Sequence, residues 1–240
     1  MKKPKIIVFT GAGVSQESGI QTFRGLKDGL WHNYKVEEVA HIDAWKKDRE
    51  KVLDFYNMRK REMSGNVQPN LAHKLIAELE KDYEVVVVTQ NVDNLHEMAG
   101  STNVIHLHGR MDQKRSSLDK NLVYEWGDED IKIGDKCEKG SQLRPNVVWF
   151  GEGLNEDFIN DALWECRNAD ACIIIGTSMQ VYPAADIPFK TKESALIWYI
   201  DPSDVNFYVP EYRRIFFYHI QEIASIGMQK VIEELKDCDF

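Results

Sequence analysis

Four short stretches of this chain carry residues whose types and spacing suit work on a polar, phosphate-bearing ligand. The first is Thr10-Gly11-Ala12-Gly13, directly after the apolar run Ile6-Ile7-Val8-Phe9. Glycines two positions apart let the chain turn tightly and bring backbone N–H groups against a phosphate. A helix starting there would add the positive end of its dipole. A dinucleotide loop of the G-x-G-x-x-G type would place a third glycine at position 16, where Gln16 stands. The acidic residue such loops carry about 20 positions on is not evident either. An ordinary strand–helix turn is the competing reading.

The second stretch, TQNVDNLHEMAG (89–100), follows the run VVVV (85–88). Gln90, Asn91, Asp93 and Asn94 crowd one strand–helix junction. One of them suffices as a helix cap, so four amide or carboxylate side chains suit a ribose or a carboxamide. The third, HLHG (106–109), again ends a strand. Alternation puts His106 and His108 on one face, and either histidine can act as a general base near neutral pH. A metal pair lacks an acidic or thiol partner at ligand spacing, and a purely structural histidine is the plain alternative. The fourth, GTSMQVYPA (176–184), follows CIIIG, and Gly176, Thr177 and Ser178 offer amides and hydroxyls to a phosphate or ribose.

All four stretches sit where apolar runs end, so the runs position them. Strands are expected at IIVF (6–9), VVVV (85–88), VIHL (104–107), VVWF (147–150), CIIIG (172–176), LIWYI (196–200) and IFFY (215–218). Most are continuously apolar, as strands buried on both faces are. Helical repeats lie between them: Leu71, Leu75 and Leu79; Phe158, Ala162 and Glu165, with Ile159, Leu163 and Cys166 beside them; and Met228 to Leu235. The fold class expected is α/β, a Rossmann-like doubly wound parallel sheet, in which ligands bind at the carboxyl edge. Two stretches break the alternation. Residues 26–66 have helical character and no second strand, and 110–142 are polar. The expected organisation is a nucleotide-binding domain of 1–25, 67–109 and 143–240, with a small domain from the insertions 26–66 and 110–142.

The bulk properties bound the function. The 240 residues are 43% hydrophobic and 29% charged, with a net charge of −9. That excess of acid disfavours non-specific nucleic-acid binding. No signal peptide is expected from the short first apolar stretch, and no apolar run in the sequence nears the ~20 residues of a membrane span. The four cysteines, Cys137, Cys166, Cys172 and Cys238, form no C-x-x-C pair. Cys166 and Cys172 are expected as buried thiols in a reducing cytoplasm.

Taken together, GAGVSQESGIQTFRG (11–25), TQNVDNLHEMAG, HLHG, VVWFGE (147–152) and GTSMQVYPA resemble, in order and approximate spacing, the sirtuin family of NAD-dependent protein deacylases, bacterial type. The likeness covers nearly the whole chain. It implies that Gly11, Ala12, Gly13 and Ser15 hold the NAD diphosphate, and that Thr22, Phe23 and Arg24 form a lid over the nicotinamide ribose. Gln90, Asn91 and Asp93 fall on the nicotinamide side, and Gly176, Thr177 and Ser178 on the adenosine side. His108 becomes the base, because it directly precedes the glycine; Asn91 and Asp93 assist it. Val147, Val148, Trp149, Phe150 and Gly151 would pair with the substrate peptide by β-augmentation. The implied reaction, that of a deacetylase and/or a desuccinylase/demalonylase, transfers the acyl group of a lysine side chain to ADP-ribose, releasing nicotinamide and O-acyl-ADP-ribose, with water excluded. ADP-ribosyl transfer or NAD hydrolysis in the same pocket, and a non-catalytic NAD or ADP-ribose binding module, are the alternatives. The implied enzyme is a cytoplasmic monomer that acts on protein or peptide substrates and contacts neither nucleic acid nor membrane.

Tyr56 and Arg59, at i and i+3, match the Tyr-x-x-Arg pair of the desuccinylase/demalonylase (class III) branch, and Gly29-Leu30-Trp31 also resembles it. Such a guanidinium can grip an acyl carboxylate in bidentate fashion. The resemblance departs in two places. Most members hold a structural zinc with two C-x-x-C pairs, whereas 110–142 contains Cys137 alone and begins near Ser116-Ser117. Four ligands cannot be assembled there, so no zinc is expected. Leu122, Val123, Tyr124, Trp126, Ile131 and Ile133 are expected as an apolar substitute. Tyr199-Ile200-Asp201 stands where many relatives have an asparagine on the adenosine side.

Overall fold

The computed structural model describes residues 2–20, 34–65 and 67–240. The strands are β1 (Lys5–Thr10), β2 (Glu84–Thr89), β3 (Val104–His106), β4 (Gly109–Ser116), β5 (Val123–Glu125), β6 (Leu143–Val147), β7 (Ala171–Ile175), β8 (Leu196–Ile200) and β9 (Phe217–Ile220). Six of them form one sheet in the order β3-β2-β1-β7-β8-β9, every pair parallel. This is a doubly wound α/β sheet. Its strand order reverses between β1 and β7, and such a reversal opens a crevice beyond the carboxyl ends.

The apolar runs are strands because both faces are covered. On one face Ile6, Val8, Val85, Val87, Ile173 and Ile175 pack under α4 (Leu71–Leu79) and α7 (Ala224–Leu235). On the other, Ile7, Phe9, Val86, Val88, Cys172 and Ile174 pack under α6 (Glu156–Arg167) and a 3-10 helix, Ala184–Lys190. Ile6, Ile7, Val8 and Phe9 are each 0% exposed. Burying a side chain of this size contributes roughly 1.5–3 kcal/mol. The glycine loop runs into the expected helix, a 3-10 helix over Ala12–Ser18. Asn70 caps α4 by accepting from Ala72 N (2.9 Å) and donates to Val14 O (2.8 Å) and Ser18 Oγ (3.0 Å), which ties this turn to the helix.

A second, three-stranded antiparallel sheet has the order β5-β4-β6. Its core joins two stretches distant in sequence. Val39, Trp45, Val52, Phe55 and Tyr56, from α1 (Val36–Val39), α2 (Ile42–Lys47) and α3 (Arg49–Met63), pack on Met111, Trp126, Ile131, Leu143, Val147 and Trp149. Three expectations shift here. The polar 110–142 stretch contains β4 and β5, whose ladders supply the order that its side chains do not advertise. The VVWF strand ends at Val147 and lies in the small sheet, because the chain then leaves β4 and Phe150 pairs with the 40–42 segment instead. The IFFY strand starts only at Phe217. Residues 211–216 form a 3-10 helix held by Arg213, which is buried and donates to the carbonyls of Phe189, Thr191 and Lys192.

Of the residues expected to replace a zinc site, Trp126 and Ile131 are buried, Leu122 and Tyr124 are partly so, and Val123 and Ile133 are exposed. Beside them Ser116 Oγ lies 2.6 Å from Ser141 Oγ, which lies 3.1 Å from Cys137 Sγ. Among the described residues no cluster of three or more His, Cys, Asp or Glu could hold a metal ion. Nor is any described helix long and apolar enough to cross a membrane.

Candidate active site

Gly11 to Ser15 leave β1, Gln90 to Asp93 leave β2, His108 follows β3, and Gly176 to Ser178 leave β7. All therefore meet at the carboxyl edge, around the reversal between β1 and β7. The two glycine loops interlock. Gly11 N–H donates to Ile175 O (3.0 Å) and Gly13 N–H to Gly176 O (2.8 Å). A Cβ on Gly13 would stand 2.6 Å from Gly176 Cα, and one on Gly11 2.7 Å from Thr177 Cβ. The glycines are thus required first by the packing of one loop against the other. Among the described residues the N–H groups of Ala12 and Ser178 have no acceptor. They suit the oxygens of a phosphate or a ribose.

Beneath these loops lies a buried polar set. Ser15 Oγ accepts from Asn91 Nδ2 (3.1 Å) and donates to Asp93 Oδ2 (3.0 Å). Asp93 Oδ1 accepts the Leu95 N–H (3.2 Å) at the start of α5 (Leu95–Ala99). Burial pushes the Asp93 carboxyl above its usual range, and the Leu95 and Ser15 hydrogen bonds oppose that. Gln90 Nε2 donates to Thr177 Oγ1 (2.9 Å), linking the loops after β2 and β7. Asn94 makes no side-chain cap, so it is Asp93 that serves the helix start.

His106 and His108 do not alternate along one strand, because β3 ends at His106 and the chain turns. His106 is buried with both nitrogens engaged: Nδ1 with Asn91 O (3.1 Å) and Nε2 with Glu97 Oε1 (2.8 Å). Among the described residues His108 uses only Nδ1, against Gln90 O (2.9 Å). Burial draws His108 below its ordinary value of 6.5, with the Gln90 hydrogen bond opposing. The two rings, equivalent by spacing, are chemically distinct, and His108 alone presents a nitrogen for proton transfer.

Two histidines that the sequence did not single out complete the set. His73 and His96 are buried with centroids 4.8 Å apart. His73 Nε2 approaches Ser15 Oγ (3.5 Å), and His96 Nε2 pairs with Thr10 Oγ1 (3.0 Å), which donates to Thr89 Oγ1 (2.8 Å). A histidine on the inward face of each of two helices next to the glycine loop was the available signal.

Val147 to Gly151 run beside His108: Val148 N–H donates to His108 O (2.9 Å). Phe150 is held by Ala40 O and by the Ile42 N–H, both at 2.9 Å. Among the described residues the Val148 carbonyl and the Gly151 N–H have no partner, which leaves them for an extended peptide. Tyr56 is buried, with its ring 6.0 Å from that of Trp149, and burial raises its hydroxyl well above 10. Arg59 donates to Glu62 Oε2 (3.1 Å). Tyr199 Oη donates to Thr177 O (3.1 Å), and Asp201 Oδ1 accepts the Ser203 N–H (2.9 Å). Thr22, Phe23 and Arg24, with Gly29-Leu30-Trp31, lie outside the described residues.

Comparison with known proteins gives one family. The model described as the Sir2 family matches residues 11–183. An NAD-dependent protein deacylase of Helicobacter pylori is 47% identical over 230 residues, covering 96% of both chains. One of Aquifex aeolicus is 41% identical, covering 99% of this chain and 98% of its own. Among solved structures, a Sir2 homologue in complex with NAD superposes with a TM-score of 0.83 at 41% identity, over 98% of this chain and 90% of that one. A Sir2 protein in complex with an inhibitor, 2′-O-acetyl-ADP-ribose and deacetylated p53 peptide gives 0.75 at 29% identity, over 97% and 94%.

Proposed function

The chain belongs to the Sir2 family, and from that premise we propose that it is an NAD-dependent protein deacylase, taking acyl groups from lysine side chains. The observation that carries this reading is the histidine with one unengaged nitrogen, His108, beside the buried Asn91–Ser15–Asp93 set at the mouth of two interlocked glycine loops. NAD fits these donors. The Ala12 and Ser178 amides, without an acceptor among the described residues, suit its phosphates and ribose, and the amide and carboxylate of Asn91 and Asp93 suit its carboxamide.

When bound, NAD supplies a cationic leaving group and a ribose that accepts the acyl group. The chain's residues do the rest. Gln90 O fixes the Nδ1 proton of His108, so Nε2 is the nitrogen that takes a proton from a ribose hydroxyl. Ser15 orients Asn91 and Asp93 through one hydroxyl. Thr22, Phe23 and Arg24 are assigned the exclusion of water. The Val148 carbonyl and Gly151 N–H hold the substrate backbone by β-augmentation. Tyr56 and Arg59 are assigned an acidic acyl group, succinyl or malonyl, so the reading is a deacetylase and/or a desuccinylase/demalonylase of the class III type. The cytoplasm, a monomeric state and no zinc complete the reading. Four unpaired thiols suit a reducing compartment, and a net charge of −9 opposes nucleic-acid binding.

The test is incubation with NAD and either an acetyl-lysine or a succinyl-lysine peptide, followed by mass spectrometry. Deacylated peptide together with nicotinamide is expected. Nicotinamide without deacylation would favour ADP-ribosyl transfer or NAD hydrolysis, and neither product would favour a binding module.

A further inference from the structure

Arg115 on β4 and Arg144 on β6 stand directly opposite each other in the antiparallel ladder. Their side chains are 13% and 2% exposed. Like charges at an opposed pair repel, and burial removes the water that would screen them. One carboxylate answers both. Glu152 Oε1 accepts from Arg144 Nη1 (2.7 Å) and Arg115 Nη2 (3.5 Å), and Oε2 accepts from Arg144 Nη2 (3.0 Å). Burial opposes that ionisation, yet the Arg144 hydrogen bonds and charge leave Glu152 below the usual carboxylate range.

Besides the Trp45 ring on α2, 5.9 Å from the Arg144 guanidinium, the cluster reaches the end of β6 and the segment that follows it. Glu152 Oε2 accepts the Trp149 N–H (2.9 Å), and Arg144 Nη2 donates to Val147 O (2.9 Å). The Arg144 guanidinium lies 3.2 Å from the Trp149 ring centroid. Backbone and ring of Trp149 are therefore fixed by the same ion cluster, between two peptide groups that have no partner among the described residues, Val148 O and Gly151 N–H.

We propose that Glu152 is a positioning residue for the acylated substrate. By bridging Arg115 and Arg144 it locks Trp149 and thereby sets the spacing of the Val148 carbonyl and the Gly151 N–H. The proposal rests on the reading of 147–151 as the peptide-docking segment. It makes Glu152 act on peptide binding while leaving NAD binding alone.

Two variants test it. Glu152→Gln keeps an acceptor for Trp149 and removes the charge between the guanidinia. Glu152→Asp keeps the charge but falls short of spanning Arg144 and the Trp149 N–H, and is the variant to use if the first does not fold. In either, amide hydrogen exchange over 148–151 should accelerate about tenfold while β1 and β7 are unchanged. The KM for acyl-peptide should rise about tenfold, with KM for NAD and kcat within about twofold. Adding Arg115→Gln to Glu152→Gln removes one of the opposed charges and should recover part of the peptide KM. Unchanged exchange over 148–151 overturns the positioning role. Accelerated exchange with an unchanged peptide KM overturns the docking reading of the segment. Equal rises in both KM values, unrelieved by Arg115→Gln, reduce Glu152 to a general stabilising residue and overturn the proposal.

Discussion

The Nδ1 nitrogen of His108 lies 2.9 Å from the carbonyl oxygen of Gln90. A carbonyl only accepts, so Nδ1 carries the ring proton and Nε2 keeps its lone pair in the neutral ring. Burial lowers His108 below 6.5, so the base form predominates at neutral pH. The value of kcat/KM is expected to fall on the acid side with a midpoint below 6.5 and to be flat from about pH 7 upward. A rate–pH profile with its acid limb centred above 6.5 would contradict this. His108→Ala should lower kcat about 10²- to 10⁴-fold with an unchanged melting temperature.

Ser15 is the one hydroxyl shared by Asn91 and Asp93. Ser15→Ala leaves a buried carboxylate oxygen and a buried amide without a partner. Each such orphan costs about 1–3 kcal/mol. A fall in stability of about 2 kcal/mol or more is expected in urea unfolding, with a rise in KM for NAD that exceeds any rise for the peptide. Equal stability in the two proteins would show that water replaces the hydroxyl at no cost.

The sheet and the site's loops were readable for the same reason. IIVF, VVVV, CIIIG and LIWYI are buried on both faces, so their apolar runs are unbroken, and the polar residues directly after them fall at the carboxyl edge by topology alone. What stayed hidden depends on tertiary contact. Arg115, Arg144 and Glu152 look like surface charges until β4 and β6 pair and oppose the two arginines. The β4 strand has a polar sequence and an irregular register between Arg110 and Lys114, so no period of two announces it. The packing of the Gly176 loop against Gly11 and Gly13 is likewise invisible in the sequence, where the two glycines point only to close approach by a phosphate.

Gly176 has φ +59°, and an added Cβ would lie 2.4 Å from Val14 N. Gly140 also has a positive φ, +79°, with nothing within 4 Å of such a Cβ. The pair separates backbone strain from loop packing. Gly140→Ala should cost about 1 kcal/mol and leave KM for NAD unchanged. Gly176→Ala adds an overpacking cost of about 1–3 kcal/mol and should raise KM for NAD severalfold. Similar effects of both on NAD would remove the loop interlock from cofactor binding.

Arg59 and Tyr56 sit one turn apart on α3. A hydrogen bond to a charged group is worth about 1.5–3 kcal/mol, which is roughly 10- to 100-fold in rate. Arg59→Met is therefore expected to lower kcat/KM for a succinyl-lysine peptide by that factor and to leave an acetyl-lysine peptide within about threefold. A uniform loss on both substrates would end the assignment of an acidic acyl group to this pair.

His73 and His96 make stability depend on pH. Both rings are buried, and neither Nδ1 has a hydrogen-bond partner among the described residues, so an added proton there meets no acceptor among them. Burial lowers His73 from 6.5 to about 4 and His96 in the same direction. The sign follows from which state binds protons more readily. Between these values the unfolded chain takes the proton and the folded one does not. The contribution is thus fully present above 6.5 and is lost as pH falls toward 4. For His73 alone the loss between pH 7.5 and 5.0 is about 2 kcal/mol, and His96 adds to it. His73→Phe keeps an aromatic ring against His96 while abolishing one titration. Urea unfolding at pH 7.5 and 5.0 should show a smaller acid loss for the variant than for the parent chain. An equal loss in both would mean that other groups, such as the buried carboxylates, set the acid limit.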